Sequence, residues 1–189
     1  MRKLVVSEWI TLDGVFDADP EYFNQWFMPY DSDARAEYIA KSILGCGAFL
    51  MGGRTYRTLA PYWSALKHNE FDIADKMNNA PKYVVSTTLQ TAEWNNTQKI
   101  IKDNVVEEIA KLKQESGDYM LVPGSATLVQ SLMEANLIDE YRFLVHPIMM
   151  GHGRRFCKDG MPVTKFNLVK TETLSLGVIA LFYESVKNY

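Results

Sequence analysis

Residues 118–132 run Asp-Tyr-Met-Leu-Val-Pro-Gly-Ser-Ala-Thr-Leu-Val-Gln-Ser-Leu, a buried strand that stops at a Pro-Gly break and restarts at once as a helix. Residues 119–122 are a short apolar run of strand formers, and Ala126, Val129, Leu132 and Met133 repeat at helical spacing. Strand, turn and helix in such close succession are the working unit of an α/β domain. Gly124 lets another group approach the main chain closely, and Ser125 is placed to cap the first turn. The free N–H groups of the new helix point outward beside the strand end. Such a helix start suits an anion, most commonly a phosphate; the same junction also serves as a plain capping turn.

The pattern recurs upstream. Residues 48–51 are a second buried strand, broken by Gly52 and Gly53, with a helix or turn beginning at Arg54, Thr55, Tyr56 and Arg57. Residues 81–88 form a third strand that ends in Ser86, Thr87 and Thr88, hydroxyls that either close the strand or bind a phosphate or ribose. Open α/β sheets bind ligands at the carboxyl ends of their strands, so these junctions are expected to flank one site. The first strand, residues 3–10, leads into a turn at Asp13 and Gly14. Residues 17–33 are irregular and aromatic, with Tyr22, Phe23, Trp26, Phe27 and Tyr30 forming either a packed loop or a wall over a flat ligand.

Residues 33–44 read as a helix whose apolar face is Ala36, Ile39, Ala40, Ile43 and Leu44, with Asp33, Glu37 and Lys41 solvated on another face. Asn104 and Glu107 suggest a capping box ahead of a helix that buries Val105, Val106, Ile109 and Lys113. Residues 138–148 form a long strand with Tyr141, Phe143 and Val145 on one side. Residues 166–173 and 178–186 flank Gly177 and should pair antiparallel.

At 189 residues the chain is one domain, residues 1–189, with 47% hydrophobic and 23% charged residues in a globular balance. A net charge of −3, with both signs mixed along the chain, gives no field for nucleic acid or an anionic membrane. Cys46 and Cys157 are too few for a disulfide framework and fit a reducing, cytoplasmic setting. Glu8 cuts short the apolar run after Arg2 and Lys3, so no leader or spanning segment is read there. His146, His152 and Cys157 match no common metal spacing, and no metal site is expected. Dinucleotide glycine fingerprints, Walker lysine motifs and nucleophile elbows are all missing.

Taken together, these motifs resemble the dihydrofolate-reductase-like fold and, within it, the family of the C-terminal reductase domain of bacterial riboflavin biosynthesis. The resemblance spans nearly the whole chain. Its firmest part is Pro123-Gly124-Ser125-Ala126-Thr127-Leu128 with the helix behind it, then residues 137–140 and 146–153. Supporting it are Leu12-Asp13-Gly14 and the Gly-Arg-x-Thr-aromatic pattern at Gly53, Arg54, Thr55 and Tyr56. It implies a mostly parallel central sheet with helices on both faces and an antiparallel C-terminal hairpin.

The same resemblance implies an NADPH site. Gly52, Gly53, Arg54 and Thr55 would meet the adenosine phosphate side, and Ser86 with Thr87 the ribose 2′-phosphate. Gly124, Ser125, Ala126 and Thr127 would hold the pyrophosphate. Gly53 stands where relatives often carry a basic residue, which transfers 2′-phosphate recognition to Arg54 or Arg57. The implied activity is hydride transfer to a small heterocycle, as in 5-amino-6-(5-phosphoribosylamino)uracil reductase. Ser7, Trp9, Tyr22 and Trp26 are candidates for the acceptor side, and Asp13 for supplying or relaying a proton. The alternatives are a dihydrofolate or pteridine reductase, or a nucleotide-binding protein of this fold without turnover. Dihydrofolate reductases grip the pterin with an acid on the first helix; here that place falls to Ala36, so poor turnover of dihydrofolate is expected. A small molecule is the expected partner, and a homodimer is left open beside the monomer.

Overall fold

The computed structural model describes residues 1–17, 26–68 and 73–186. In chain order its strands are β1 (Leu4–Thr11), β2 (Val15–Asp17), β3 (Ala48–Gly52), β4 (Lys82–Val85), β5 (Thr97–Ile101), β6 (Met120–Val122), β7 (Glu140–His146), β8 (Arg154–Arg155), β9 (Phe166–Thr173) and β10 (Ile179–Ser185). The helices are α1 (Asp33–Leu44), α2 (Gly53–Ala65), α3 (Ala74–Asn79), α4 (Val105–Gln114) and α5 (Ala126–Glu134). One sheet runs β5-β4-β3-β6-β1-β7-β10-β9, and β2 pairs with β8 apart from it. From β5 across to β7 every pairing is parallel, whereas β10 lies antiparallel to both β7 and β9.

Parallel strands covered by helices on both faces read as continuous apolar runs, which is the composition of β3, of β6 and of the first three residues of β1. Alternate residues go to opposite layers. Leu4, Val6, Leu50, Met120 and Val122 pack with Ile109 of α4 and with Leu128, Val129 and Leu132 of α5. Val5, Phe49, Met51 and Leu121 face the other way, onto Tyr56 of α2 and Met77 of α3. Each fully buried aliphatic or aromatic side chain of this kind contributes about 1.5–3 kcal/mol. The expected fold class, mostly parallel with a C-terminal antiparallel hairpin, is the one found.

Several local expectations are corrected. Helix α1 has the expected bounds, but its buried residues are Arg35, Tyr38 and Ser42, while Ala36 and Leu44 are exposed. A polar face can be buried because its groups find partners. Tyr38 packs on Leu144, Val178 and Ala180, and the Ser42 carbonyl accepts from the Tyr119 hydroxyl at 2.6 Å. Arg35 donates through Nη1 to the Phe27 carbonyl at 2.7 Å and through Nη2 to Asp31 at 2.7 Å. The Asn104 capping box does not form: Asn104 takes a left-handed conformation, φ 49° and ψ 41°, and its side chain caps nothing. Val106 is exposed, and Lys113 is buried against Asp139 at 2.6 Å. Strands β2, β5 and β8 and helix α3 had no counterpart in the sequence expectations. In β5 only Ile101 is buried, and α3 is too short for a helical pattern.

Candidate functional site

Strand β1 carries the site because its two neighbours leave it at different points. Pairing with β6 ends at Val6 and Val122, whereas pairing with β7 continues to Thr11 and His146. Beyond Val6 the sheet opens on one side of β1, and a cleft of about 590 Å³ enters there. Ser7, Glu8 and Trp9 line it from β1, and Pro123, Gly124, Ser125 and Ala126 from the turn after β6. Ile39 and Ile43 of α1, Arg54, Thr55, Leu59 and Trp63 of α2, Met77 of α3, and Trp26 complete the walls.

The three strand-end junctions pack one on the next, and those after β3 and β6 line this opening. Gly52 donates its N–H to the Gly124 carbonyl at 3.3 Å. A Cβ built on Gly52 would lie 2.2 Å from Ser125 Oγ, and one on Gly53 would lie 2.6 Å from Ser86 Oγ. Both glycines are therefore demanded by the packing of one junction on the next. Gly124 is demanded by its backbone, at φ +106°, and a Cβ there would stand 3.1 Å from Thr55 Oγ1. The Gly124–Ser125 peptide is cis.

Neither α2 nor α5 has a side-chain cap: Gly52 has no side chain to offer, and the Ser125 hydroxyl caps no amide, contrary to expectation. First-turn N–H groups have no acceptor within their own helix. Two helix starts with their partial positive charge thus abut at the carboxyl ends of the neighbouring strands β3 and β6. Ser86 closes its strand, its Oγ accepting from the N–H of Thr88 at 3.3 Å and of Leu89 at 3.0 Å. Arg57 Nη1 lies 3.5 Å from the Gly53 Cβ position, beside Ser86. Thr87 is exposed at the surface, as is Thr127, whose hydroxyl accepts from Arg154 Nη1 at 2.9 Å on the first turn of α5.

Of the acceptor-side candidates, Ser7, Trp9 and Trp26 line the cleft, and Tyr22, like Phe23, lies outside the described residues. Trp9 stacks on Phe27 with ring centres 4.0 Å apart, and the Arg35 guanidinium stands 3.9 Å from the centre of the same Phe27 ring. Trp26 meets the buried His146 ring edge-on at 5.4 Å. Burial, with the charge of Arg35 adding to it, pushes the His146 pKa down, so this imidazole is neutral beneath the aromatic wall.

The structure places Asp13 away from the cleft lining. Its carboxylate accepts from the Thr11 hydroxyl at 2.6 Å and from the backbone N–H of Met150 at 3.1 Å and of Gly151 at 2.8 Å. The Thr11 hydroxyl above all, with those amides, holds its pKa down at about 2. Asp13 clamps the turn after β1 to the loop after β7, and a carboxyl so acidic is a poor proton donor at neutral pH.

Among the described residues the cleft lining holds one carboxylate, Glu8, only 7% exposed on β1. Its two oxygens lie 3.9 and 4.0 Å from where a Gly124 Cβ would stand. Its signal in the sequence was a charged residue inside an otherwise apolar central strand, a position charged side chains seldom occupy. Ala36, which falls at the place of the dihydrofolate reductase acid, is exposed on α1 and is not among the residues lining the cleft.

A family model described as the RibD C-terminal domain matches residues 2–180. The chain belongs to the RibD C-terminal domain family. It is 33% identical over 187 residues to a Bacillus subtilis (strain 168) protein, "Uncharacterized protein YyaP", covering 96% of this chain and 94% of that one. It shares its fold with the Thermotoga maritima diaminohydroxyphosphoribosylaminopyrimidine deaminase/5-amino-6-(5-phosphoribosylamino)uracil reductase, at TM-score 0.66 and 18% identity, covering 98% of this chain and 57% of that one. It also superimposes on Enterococcus faecalis dihydrofolate reductase complexed with NADP(H), at TM-score 0.62 and 12% identity, covering 98% and 97%. The RibD C-terminal domain here is thus dihydrofolate-reductase-like in architecture. Among the described residues no helix is long and apolar enough to cross a membrane.

Proposed function

We propose that this RibD C-terminal domain protein is an NADPH-dependent reductase that passes hydride to a small, flat nitrogen heterocycle. The observation that carries the proposal is the meeting of two helix starts without side-chain caps, α2 and α5, at the mouth of an aromatic cleft. The residues present fit a dinucleotide. Amides of Ala126 and Thr127, with Ser125, would hold the pyrophosphate, and Gly53, Arg54 and Thr55 at the start of α2 the adenosine side. Arg57 and Ser86, adjacent at the Gly53 junction, would meet a ribose 2′-phosphate. Relatives support the reading: one structure of this fold is named as a reductase of a phosphoribosylaminouracil and another is described with NADP(H) bound.

When bound, the nicotinamide supplies the hydride. The chain's own contribution is positional. Trp9, backed by Phe27 and Arg35, presents a rigid wall, and the apolar lining keeps water from the transfer. In this reading the acid on the cleft wall is Glu8, and Asp13, which is not among the lining residues, has no part in the chemistry. Incubation with NADPH deuterated at the transferable position, against a panel of pyrimidine and pterin acceptors, tests the proposal. Deuterium is expected in a reduced acceptor. Nucleotide that binds without transfer to any acceptor would favour the nucleotide-binding alternative.

A further inference from the structure

We infer that Arg35 is a positioning residue for the proposed reaction: acting through Phe27, it fixes the Trp9 ring against which a flat acceptor stacks. The inference rests on the reductase reading and assigns a role in it to a residue outside the cleft lining.

Of these three groups Trp9 is the one that reaches the cleft, half-buried on β1 and packed beside Tyr38, Leu144, Val178 and Ala180. Its ring stacks on Phe27, with centres 4.0 Å apart and planes 19° from parallel. The Arg35 guanidinium carbon stands 3.9 Å from the centre of the same Phe27 ring. Two groups that close to one ring centre occupy opposite faces, so Phe27 is sandwiched between Arg35 and Trp9. Neither Phe27 nor Arg35 is among the described residues lining the cleft, and each therefore acts on a bound ring through Trp9.

Arg35 grips Phe27 at two points. Nη1 donates to its carbonyl at 2.7 Å, which fixes the backbone, and the guanidinium covers its ring, which fixes the side chain. Nη2 donates to Asp31 at 2.7 Å and so orients the guanidinium itself. These contacts reach back from the first turn of α1 into a segment whose own regular structure is one 3₁₀ turn, Met28–Tyr30.

Stability alone does not account for the arrangement. Arg35 is 2% exposed and its Nε has no partner, while the Asp31 side chain is 65% exposed and offsets the buried charge only in part. Burying a charge in this way is costly, and an apolar residue of similar volume is often as stable or more so. What the guanidinium adds is a rigid planar fork that bonds a carbonyl and covers a ring at once. Neither methionine nor the point charge of a lysine reproduces that.

The test reads Trp9 directly. Protein labelled with 5-fluorotryptophan, its Trp9 resonance assigned from Trp9→Phe, is compared by fluorine NMR without ligand in the unaltered, Arg35→Met and Arg35→Lys forms, with a thermal melt confirming folding. In both variants the Trp9 resonance is expected to shift and broaden, while that of Trp94, in the cluster with Tyr56 and Met77, stays in place. Pteridine-2,4-dione, a flat nitrogen heterocycle followed by its own fluorescence, should bind both variants about two- to tenfold more weakly, the worth of one stacking contact. NADPH affinity should be unchanged. Phe27→Leu, which removes the ring between the two, should reproduce these effects and carries the test if the Arg35 variants do not fold. An unchanged Trp9 resonance in a folded variant, restoration by lysine, or equal losses for NADPH and the pteridine would overturn the inference. Failure of the pteridine to bind the unaltered protein, or of hydride to reach any acceptor, counts against the reductase reading alone, because the fluorine spectra need no ligand.

Discussion

Gly52→Ala adds one methyl group at the point where the ends of β3 and β6 touch. Gly52 has φ −73° and ψ 156°, extended backbone that alanine adopts freely, so the effect is steric. The new Cβ would stand 2.2 Å from Ser125 Oγ, 3.1 Å from Ser125 Cβ and 3.3 Å from its amide nitrogen, against a comfortable separation of about 3.5–4.0 Å. The hydroxyl can rotate away, but the Cβ and nitrogen can yield only by shifting the start of α5. Overpacking of this kind costs about 1–3 kcal/mol. For a chain of this size each kcal/mol moves the melting temperature by about 2–4 °C, so a loss of about 2–12 °C is expected. Ser125→Ala removes the closest atom, and the double variant should recover about 1 kcal/mol relative to the sum of the singles. NADPH affinity should fall in Gly52→Ala and partly return in the double variant. Thermal unfolding of the four proteins completes the cycle. Losses that add within about 0.5 kcal/mol would show that the two junctions do not touch as described.

Lys82 is fully buried, and its Nζ donates to the carbonyls of Asn78, Ala80 and Asn95 at 2.9, 2.9 and 2.8 Å. Lys82→Met strands those acceptors and should cost about 3 kcal/mol, seen as a melting temperature lower by about 6–12 °C; an unchanged melt would contradict the burial. Burial pushes the Lys82 pKa down to about 8 from 10.5. Between those values the unfolded chain binds the extra proton, so stability rises with pH across that window, and the rise should vanish in Lys82→Met. Asp13 behaves oppositely, its folded pKa of about 2 lying below the ordinary 3.8. Its contribution is present above pH 3.8 and is lost as pH falls toward 2, so Asp13→Asn should flatten that acid limb and leave hydride transfer intact. Loss of transfer in a folded Asp13→Asn protein would return Asp13 to the chemistry.

Much of the sheet was legible because buried parallel strands announce themselves as apolar runs, and the chain around Gly52 and Gly124 showed where they end. The reasons behind individual residues were less visible. Gly52 and Gly53 read as places for a ligand, yet their Cβ positions are filled by serines from other junctions, a contact between segments about seventy and thirty positions apart, which no local pattern reports. Helix α1 misled because its buried Arg35 and Ser42 look like surface residues until their partners, Phe27, Asp31 and Tyr119, are in place. Glu8 was visible as the residue that interrupts an apolar run. Its meaning depends on β6 ending two residues earlier in the register, which only the pairing shows.

The proposed seat of a nicotinamide dinucleotide is where α2 and α5 begin, and titration of NADPH into the protein tests this most directly. Trp9, Trp26 and Trp63 line the cleft, so binding can be followed through tryptophan emission with a thermal melt on the same samples. Saturable one-to-one quenching is predicted, with stabilisation of about 2.7 kcal/mol once the nucleotide reaches about 100 times its dissociation constant. No quenching and no shift in the melt at millimolar NADPH would contradict it.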